Sequence, residues 1–337
     1  MKVAVYSTKS YDEDFLTRAN ADGAHQFTFI KARLEGETAR LAAGHDAVCP
    51  FVNDTLDEPV INELATHGVR LIAMRCAGYN NVDIRKAADA GMTVARVPEY
   101  SPYSVAEHTL AMILCLNRQL HRSYNRVRER NFELSGLLGF DLRGKTVGVL
   151  GTGRIGTQVA HILLGFGCQV IGWDRVPSQA LLQLGVPFNE VSEILLQADI
   201  ITLHCPLTPE THHLIDEKAI ERMKPGAMLI NTSRGGLLDT KAVLNALKSG
   251  KIGYLGLDVY EEEAELFFED RSGAVLQDDI FARLLTFNNV LVTGHQAFFT
   301  KEALTKIAQT TVANLSAFEA AGECAEDNCV VKPAQQS

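Results

Sequence analysis

Residues 146–174 read TVGVLGTGRIGTQVAHILLGFGCQVIGWD, and this stretch decides the fold around it. It opens with an apolar run of strand length, Val147–Leu150, and closes with a second strand-like run, Gln169–Trp173, that ends at Asp174. Between the runs lies an apolar helical pattern, preceded by three glycines in G-x-G-x-x-G spacing: Gly151, Gly153 and Gly156. A strand, a glycine turn, a helix and a second strand with an acid at its tip predict a βαβ unit that binds a dinucleotide.

Each glycine of this unit has a physical reason to be there. Gly151 allows the tight turn out of the strand, Gly153 lets the backbone approach a pyrophosphate, and Gly156 lets the helix lie close to the sheet. The helix N-terminus offers N–H groups to the phosphates. Asp174 is placed to accept hydrogen bonds from an adenosine ribose and would repel a 2′-phosphate, which favours NAD over NADP. Arg175 could soften that preference, but we interpret it as a solvated surface charge. The alternative for the whole motif is a structural glycine-rich turn.

The bulk composition is that of a globular protein of about two domains, with 337 residues, 46% of them hydrophobic and 22% charged. The net charge of −9, without a long basic run, argues against nucleic acid as a partner. No apolar run is long enough to span a membrane, and the N-terminus resembles a strand rather than a signal peptide. Seven scattered cysteines do not suggest a disulfide framework, so we expect a reducing cytoplasm; Cys324 and Cys329 are interpreted as loose thiols in the tail.

Alternating strand-like and helical patterns continue on both sides of the glycine-rich unit. Residues 1–99 predict a second doubly wound parallel sheet, without a glycine fingerprint. Residues 100–296 predict the nucleotide-binding domain. The tail, 297–337, is mainly one long amphipathic helix, and a single helix is not a domain. We therefore expect it to return to the first segment, giving an α/β fold with a discontinuous domain and an inserted Rossmann domain, with the last dozen residues loose.

Ser104 is expected to cap a helix beginning near Val105. This helix is unusually apolar, which suggests a subunit interface or an interdomain position. The basic stretch after it, 118–130, is interpreted as a solvated helix end.

Polar residues follow the apolar runs beyond the fingerprint, at what should be the carboxyl ends of strands, where open α/β sheets bind ligands. Among them, Arg234, Glu263 and His295 suit the reduction of a 2-keto acid by NADH. Arginine binds a carboxylate bidentately. Histidine exchanges a proton near neutral pH. A carboxylate beside an imidazolium stabilises its charged form. The alternatives are a structural turn arginine and a core histidine.

Seven motifs across nearly the whole chain resemble the D-2-hydroxyacid dehydrogenase family, above all its fermentative D-lactate dehydrogenases. They are RCAGYNNVD from Arg75, VPEYSPYSVAEH, GVLGTGRIG, HCPLTPETHHLI, INTSRGGLLD, LDVYEEEAELFFED and TGHQAF. The resemblance implies Arg234, Glu263 and His295 as the catalytic trio. The run of acids leaves an off-by-one assignment to Glu262 open.

The same resemblance implies a flavodoxin-like substrate domain built from both chain ends, a homodimer or higher homo-oligomer, and NAD as the cofactor. The implied cofactor contacts are Gly151, Gly153, Arg154, Ile155, Gly156, Asp174, Cys205, Pro206, Thr211, Thr232, Ser233 and Asp258, the last holding the nicotinamide carboxamide. The implied substrate contacts are Arg234, the loop Cys76, Ala77, Gly78 and Tyr79 through its backbone N–H groups, and the pocket aromatics Phe51, Tyr100 and Phe298.

The sequence leaves alternatives open for the identity of the substrate and for the roles of three further histidines. The bulky aromatics favour pyruvate, but a pocket discriminates by only about 1–3 kcal/mol per methylene, so branched 2-keto acids or phenylpyruvate remain open. An NADH-sensing binding protein without catalysis is the alternative from another class. His204, His212 and His213 are interpreted as loop or cofactor-rim residues. We expect no metal site from His212 and His213, because adjacent residues on a strand point to opposite faces.

Overall fold

The computed structural model describes residues 1–263 and 266–333. The chain folds into two compact units, Met1–Ser101 with Phe299–Ser337, and Pro102–Phe298. The chain passes from one unit to the other after Ser101 and after Phe298. Each of these positions lies two residues beyond the boundary expected from the sequence, after residue 99 and after residue 296. In the described part of the chain, no helix has the length and hydrophobicity needed to cross a membrane.

The first unit is a six-stranded sheet between helices. Its strands are β1 (Lys2–Val5), β2 (Gln26–Phe29), β3 (Ala47–Cys49), β4 (Leu71–Ala73), β5 (Thr93–Ala95) and β12 (Cys329–Val331), in the spatial order β12-β5-β4-β3-β1-β2. Its helices are α1 (Ser10–Ala19), α2 (Glu58–Thr66), α3 (Ile84–Asp89) and α12 (Lys301–Ala321). Strands β1 to β5 are parallel in the flavodoxin-like order 2-1-3-4-5. A buried apolar cluster covers each face of the sheet.

The returning helix α12 completes one of those clusters. It begins at Thr300, whose side chain accepts a hydrogen bond from the N–H of Ala303, and it ends at Gly322 in the left-handed conformation. It packs on α1 and β4 and buries Leu315 and Phe318 in the same cluster as the strands. The expectation that the tail helix returns to the first segment is therefore confirmed.

The end of the tail corrects two expectations. Residues Cys329–Val331 form β12, which pairs antiparallel with β5, so this part is not loose. Cys324 is buried with only 6% of its surface exposed, so it is not a loose thiol. The strand was missed because three residues acquire strand geometry only when a neighbouring strand offers its free edge. Cys324 was misread because its burial comes from the cluster that it shares with Leu315 and Phe318 of α12.

The second unit is a parallel six-stranded sheet with helices on both faces. Its elements are α4 (Pro102–Asn117), α5 (Leu120–Arg128), β6 (Thr146–Leu150), α6 (Arg154–Gly165), β7 (Gln169–Trp173), α7 (Gln179–Gln183), α8 (Val191–Gln197), β8 (Ile200–Leu203), α9 (Glu217–Arg222), β9 (Ala227–Asn231), α10 (Thr240–Ser249), β10 (Ile252–Leu257), α11 (Asp279–Leu284) and β11 (Val290–Val292). The spatial order is β11-β10-β9-β8-β6-β7. Phe188 bridges to β7 at its outer edge, so the order corresponds to the Rossmann arrangement 3-2-1-4-5-6.

Helix α4 begins three residues before the expected position, at Pro102. Ser104 therefore lies inside the first turn, where it is buried, instead of capping the helix. Proline is favoured at the first helical position because the N–H that it lacks would have no intrahelical partner there.

Candidate active site

The turn from β6 into α6 has the shape that a pyrophosphate requires. Gly151 has a φ of +98°, and a Cβ there would lie 2.3 Å from the backbone N of Cys205. A Cβ on Gly156 would lie 1.9 Å from the carbonyl oxygen of Gly151. At Gly153, by contrast, no described atom comes within 4 Å of a Cβ. Close contacts within the protein thus require glycine at Gly151 and Gly156. Gly153 instead faces open space beside the N-terminus of α6, where a phosphate could bind.

Asp174 follows β7 and is tied to the same turn. Its Oδ2 accepts hydrogen bonds from the N–H of Thr152 at 2.6 Å and the Thr152 hydroxyl at 3.3 Å. The carboxylate is half-buried, whereas Arg175 beside it is exposed. An acid held in this way fits the ribose end of NAD.

The turns after β8 and β9 are joined by a hydrogen bond. The Ser233 hydroxyl donates to the carbonyl of Cys205 at 2.8 Å, and the Asn231 side chain donates to the carbonyl of Arg234 at 2.8 Å. Arg234 is half-buried, and its guanidinium donates to the Ser233 carbonyl at 2.7 Å. Cys205 is buried, which raises the pKa of its thiol to about 11 and makes it a packing residue rather than a nucleophile.

Other predicted cofactor contacts line these turns. The Thr211 hydroxyl donates to the carbonyl of Pro206 at 2.6 Å, and the hydroxyls of Thr232 and Thr109 lie 2.9 Å apart. Arg154 and Ile155 form the first turn of α6. The second unit thus brings together the residues expected to contact the cofactor.

His295 lies just beyond β11 in a strained backbone conformation. Its φ is +51°, which is uncommon for a residue with a side chain. Its N–H donates to the Asp258 carbonyl at 2.7 Å, and the next two N–H groups, of Gln296 and Ala297, donate to the Asp258 carboxylate at 2.9 Å each. Asp258 therefore fixes the turn that presents the histidine.

Asp258 itself has no exposed surface. Burial alone would raise the pKa of Asp258, but hydrogen bonds from His108, Thr293 and the two backbone N–H groups outweigh it and hold the pKa below its ordinary value. The contact of Asp258 with a nicotinamide carboxamide stays a prediction. In the structure, Asp258 holds the turn that carries His295.

Glu263 lies against the imidazole of His295. Its Oε1 is 2.9 Å from Nδ1, and the two side chains are 22% and 16% exposed. The other oxygen, Oε2, accepts a hydrogen bond from the N–H of Tyr260 at 2.9 Å. Glu262 is exposed, so Glu263 is the acid that pairs with the histidine.

The segment that carries Glu263 also contacts the arginine turn. A Cβ on Gly235 would lie 2.1 Å from the carbonyl carbon of Tyr260, so the two backbones touch where only glycine fits. Strands β9, β10 and β11 are neighbours, and their carboxyl ends share one edge. Arg234, Glu263 and His295 thus belong to one edge of one sheet.

The predicted substrate residues divide between the two units. Phe298 belongs to the second unit, with its ring edge-on to His295 at 6.5 Å between centroids. Phe51, Tyr100 and the loop from Cys76 to Tyr79 belong to the first unit.

In the first unit, Phe51 lies beneath the guanidinium of Arg75, 4.8 Å from its ring centroid, and Tyr79 lies beneath Arg96 at 5.1 Å. Arg75 is buried and donates to Asp12 and to the carbonyls of Cys49 and Ser7 at 3.1 Å each. The sequence had not singled out this bonding role, because its partners are distant in the chain.

The geometric reason against a paired-histidine site was wrong. His212 and His213 lie in a turn, not on a strand, and their rings stack with centroids 3.9 Å apart. His213 has a φ of +52°, and its Nε2 lies 2.7 Å from Oε1 of Glu261. A left-handed backbone at a histidine has no signature in the sequence.

Comparison with known proteins identifies the family. A family model described as D-isomer specific 2-hydroxyacid dehydrogenase, NAD binding domain, matches residues 110–297, more than half of the chain. The chain belongs to this family. The D-lactate dehydrogenase of Escherichia coli (strain K12) is 52% identical over 324 residues, covering 96% of this chain and 98% of that protein.

Solved structures of family members agree in fold. The apo-structure of D-lactate dehydrogenase from Escherichia coli superposes with a TM-score of 0.89 at 49% identity, covering 98% of this chain and 100% of that one. D-Lactate dehydrogenase from Aquifex aeolicus, complexed with NAD and lactic acid, gives a TM-score of 0.88 at 35% identity, with 98% and 100% coverage. The family resemblance, the fold class and NAD as the family's cofactor are thereby confirmed.

Proposed function

We propose that this chain is an NAD-dependent D-lactate dehydrogenase that reduces pyruvate to D-lactate. The observation that carries the proposal is the 2.9 Å contact between His295 Nδ1 and Glu263 Oε1, at the strand edge that also holds Arg234. D-Lactate dehydrogenases among the relatives cover nearly the whole chain, which supports the same substrate here.

The carboxylate of Glu263 accepts hydrogen bonds, so the proton it faces lies on Nδ1 of His295. This leaves Nε2 for the substrate. In the charged imidazolium, Nε2–H donates to the ketone oxygen, and the proton passes to that oxygen as the alkoxide develops, leaving a neutral imidazole. Glu263 keeps the ring oriented and stabilises its charge before transfer. The hydride that the carbonyl carbon accepts would come from bound NADH.

Arg234 is assigned to the substrate carboxylate, which a guanidinium can bind through two parallel hydrogen bonds. Its turn is held by Asn231 and by the close approach of Gly235 to Tyr260, so the guanidinium starts from a fixed backbone. We assign backbone N–H groups of Cys76 to Tyr79 to the same carboxylate, and Phe51, Tyr100 and Phe298 to the methyl side of pyruvate. This rests on the family motifs.

We also propose a homodimer in a reducing cytoplasm. The segment around α5 exposes six large apolar side chains, each at least 50% accessible: Leu120, Tyr124, Val127, Phe132, Leu134 and Leu138. Monomeric proteins rarely leave such a set uncovered, and a second copy would cover it. All seven cysteines, each in the described part of the chain, carry free thiols, which suits a reducing compartment.

A steady-state panel tests the function. Pyruvate, 2-ketobutyrate, 2-ketoisocaproate, phenylpyruvate and glyoxylate are each reduced with NADH and with NADPH, and the product from pyruvate is resolved on a chiral column. We expect the highest kcat/KM for pyruvate with NADH, and D-lactate as the product. Faster turnover of the bulky acids at saturation would indicate a broader 2-hydroxyacid dehydrogenase. NADH binding without oxidation by any acid would indicate a sensing protein instead.

A further inference from the structure

Beside the segment that carries Glu263 lies another cluster of side chains, separate from the proposed catalytic trio, that can bind a metal. His212, His213 and Glu261 each offer one ligand atom, and these atoms lie within 4.8 Å of one another. The three residues come from two separate turns, one after β8 and one after β10. We propose that they form a binding site for a divalent transition-metal ion of the zinc type.

The backbone explains why two consecutive histidines can serve one ion. On a strand their rings would point to opposite faces. Here His213 is left-handed, and its N–H donates to the Gly236 carbonyl at 2.8 Å, which fixes that conformation. The chain turns between the two residues, and the imidazoles stack at 3.9 Å with 25° between their planes. Both rings therefore lie on the same side of the turn.

The acid is already in place. Glu261 Oε1 is 2.7 Å from His213 Nε2, and Oε2 accepts a hydrogen bond from the Thr240 hydroxyl at 2.8 Å. This bond to Thr240 leaves Oε1 directed at the imidazole.

The donor set selects the ion. Two imidazoles and one carboxylate suit zinc and its transition-metal neighbours, whereas magnesium and calcium prefer oxygen ligands. Zinc bonds of about 2.0–2.2 Å in a tetrahedron place the donor atoms roughly 3.3 Å apart. The ion would take the place of the proton between His213 Nε2 and Glu261 Oε1, and that proton would pass to solvent or to Nδ1 of the same ring. The His213–Glu261 contact would open slightly, and the exposed ring of His212 would turn toward the ion. Solvent would supply the fourth ligand.

The position of the site gives it a consequence that rests on the proposed function. Glu261 is two residues before Glu263 and directly follows Tyr260, whose N–H binds Glu263. Opening the contact between Glu261 and His213 to admit the ion shifts this segment and disturbs the pairing of Glu263 with His295. Metal binding should therefore lower turnover.

Cobalt is the probe for the site, because its visible spectrum reports its ligands. The untagged full chain is titrated with Co²⁺, and Zn²⁺ is then added as a competitor. We expect one Co²⁺ per chain, displaced by Zn²⁺, with visible bands of nitrogen and oxygen ligation and no thiolate band in the near ultraviolet. Binding in His212→Gln should weaken by at least about tenfold, since a ligand is lost. In His161→Gln, which changes an exposed histidine on α6, binding should be unchanged.

Three results would overturn the site: no stoichiometric binding, equal binding by His212→Gln and the unaltered chain, or a thiolate band that traces the ion to cysteine. Turnover is measured separately, each variant against its own metal-free rate. Inhibition by Zn²⁺ in the unaltered chain that His212→Gln lacks supports the regulatory consequence, and its absence despite binding refutes that consequence alone. A chain that binds Co²⁺ but reduces no 2-keto acid refutes the proposed function and leaves the site standing.

Discussion

At the scale of single residues, His295 combines a side-chain contact that the proposed chemistry needs with a strained backbone conformation. Its side chain contacts Glu263, and its backbone is left-handed, a conformation that is uncommon for a residue with a Cβ. Such conformations cost of order 1–3 kcal/mol and persist where the surroundings fix them. Asp258 provides that fixation through its carbonyl and carboxylate. Strain and its compensation in one turn are typical of a site where geometry matters more than stability.

Replacing His295 by alanine separates chemistry from cofactor binding. The variant lacks the proton donor, so kcat for pyruvate should fall by about 10²–10⁴-fold. NADH affinity, measured by fluorescence titration, should stay within a factor of about two, because the phosphate turn at Gly153 is untouched. A matching loss of NADH affinity would contradict the role assigned to His295.

Glu263→Gln tests orientation rather than proton donation. The amide can present N–H to Nδ1, which favours the wrong tautomer, so kcat should fall by up to about 10⁴-fold. Glu262→Gln is the matched control, since Glu262 is exposed one position earlier and should keep its turnover. If the two variants lost activity equally, pairing of Glu263 with His295 would not be what catalysis requires.

Asp258 makes stability depend on pH. Its folded-state pKa is lowered, so its contribution is fully present above the unfolded value of about 3.9 and is lost as pH falls through the folded value. Asp258→Asn turns an amide N–H toward backbone donors and should cost about 1–3 kcal/mol of unfolding free energy near neutral pH. Urea denaturation at a series of pH values should show this cost constant above about pH 5 and shrinking below about pH 4. A cost independent of pH would show that the charge of Asp258 is not what holds the turn.

At the scale of elements, the β6–α6 turn separates glycines kept for folding from one kept for binding. Gly153→Ala should fold normally, because its φ of −63° suits alanine and its Cβ meets open space, yet NADH should bind at least about tenfold more weakly. Gly151→Ala forces a Cβ into Cys205 at positive φ and should lower the melting temperature by several degrees. If Gly153→Ala bound NADH normally, the pyrophosphate would not approach that position.

The β6–α6 unit could be predicted from sequence because its causes are local: an apolar run, a glycine spacing and an acid at a strand tip. The trio followed from strand ends and family motifs, since parallel strands must bring their carboxyl ends to one edge. The His213–Glu261 contact could not be predicted, because it depends on a left-handed residue and on a carbonyl from another turn. The strand β12 was missed for a similar reason, since its three residues take their geometry from β5.

At the scale of the whole molecule, the chain leaves the first unit after Ser101 and re-enters it at Phe299. The first unit is therefore incomplete until α12 and β12 have been made. Without α12, the cluster of Leu71, Ala73 and their neighbours loses the cover of Leu315 and Phe318. The second unit holds two buried clusters of its own and a complete sheet.

Three fragments test this division. Residues 102–298 should unfold cooperatively in urea and bind NADH, without reducing pyruvate. Residues 1–101 alone should lack a cooperative transition, because the face of β4 that α12 covers stays exposed. Joining 1–101 to 299–337 through a flexible linker should restore the transition, since a longer connection costs only about 0.6 kcal/mol per doubling of length. Cooperative unfolding of 1–101 by itself would mean that the parallel sheet is self-sufficient and that the returning helix serves another purpose. Failure of the linked fragment, with 102–298 folded, would mean that the first unit needs the second in order to fold.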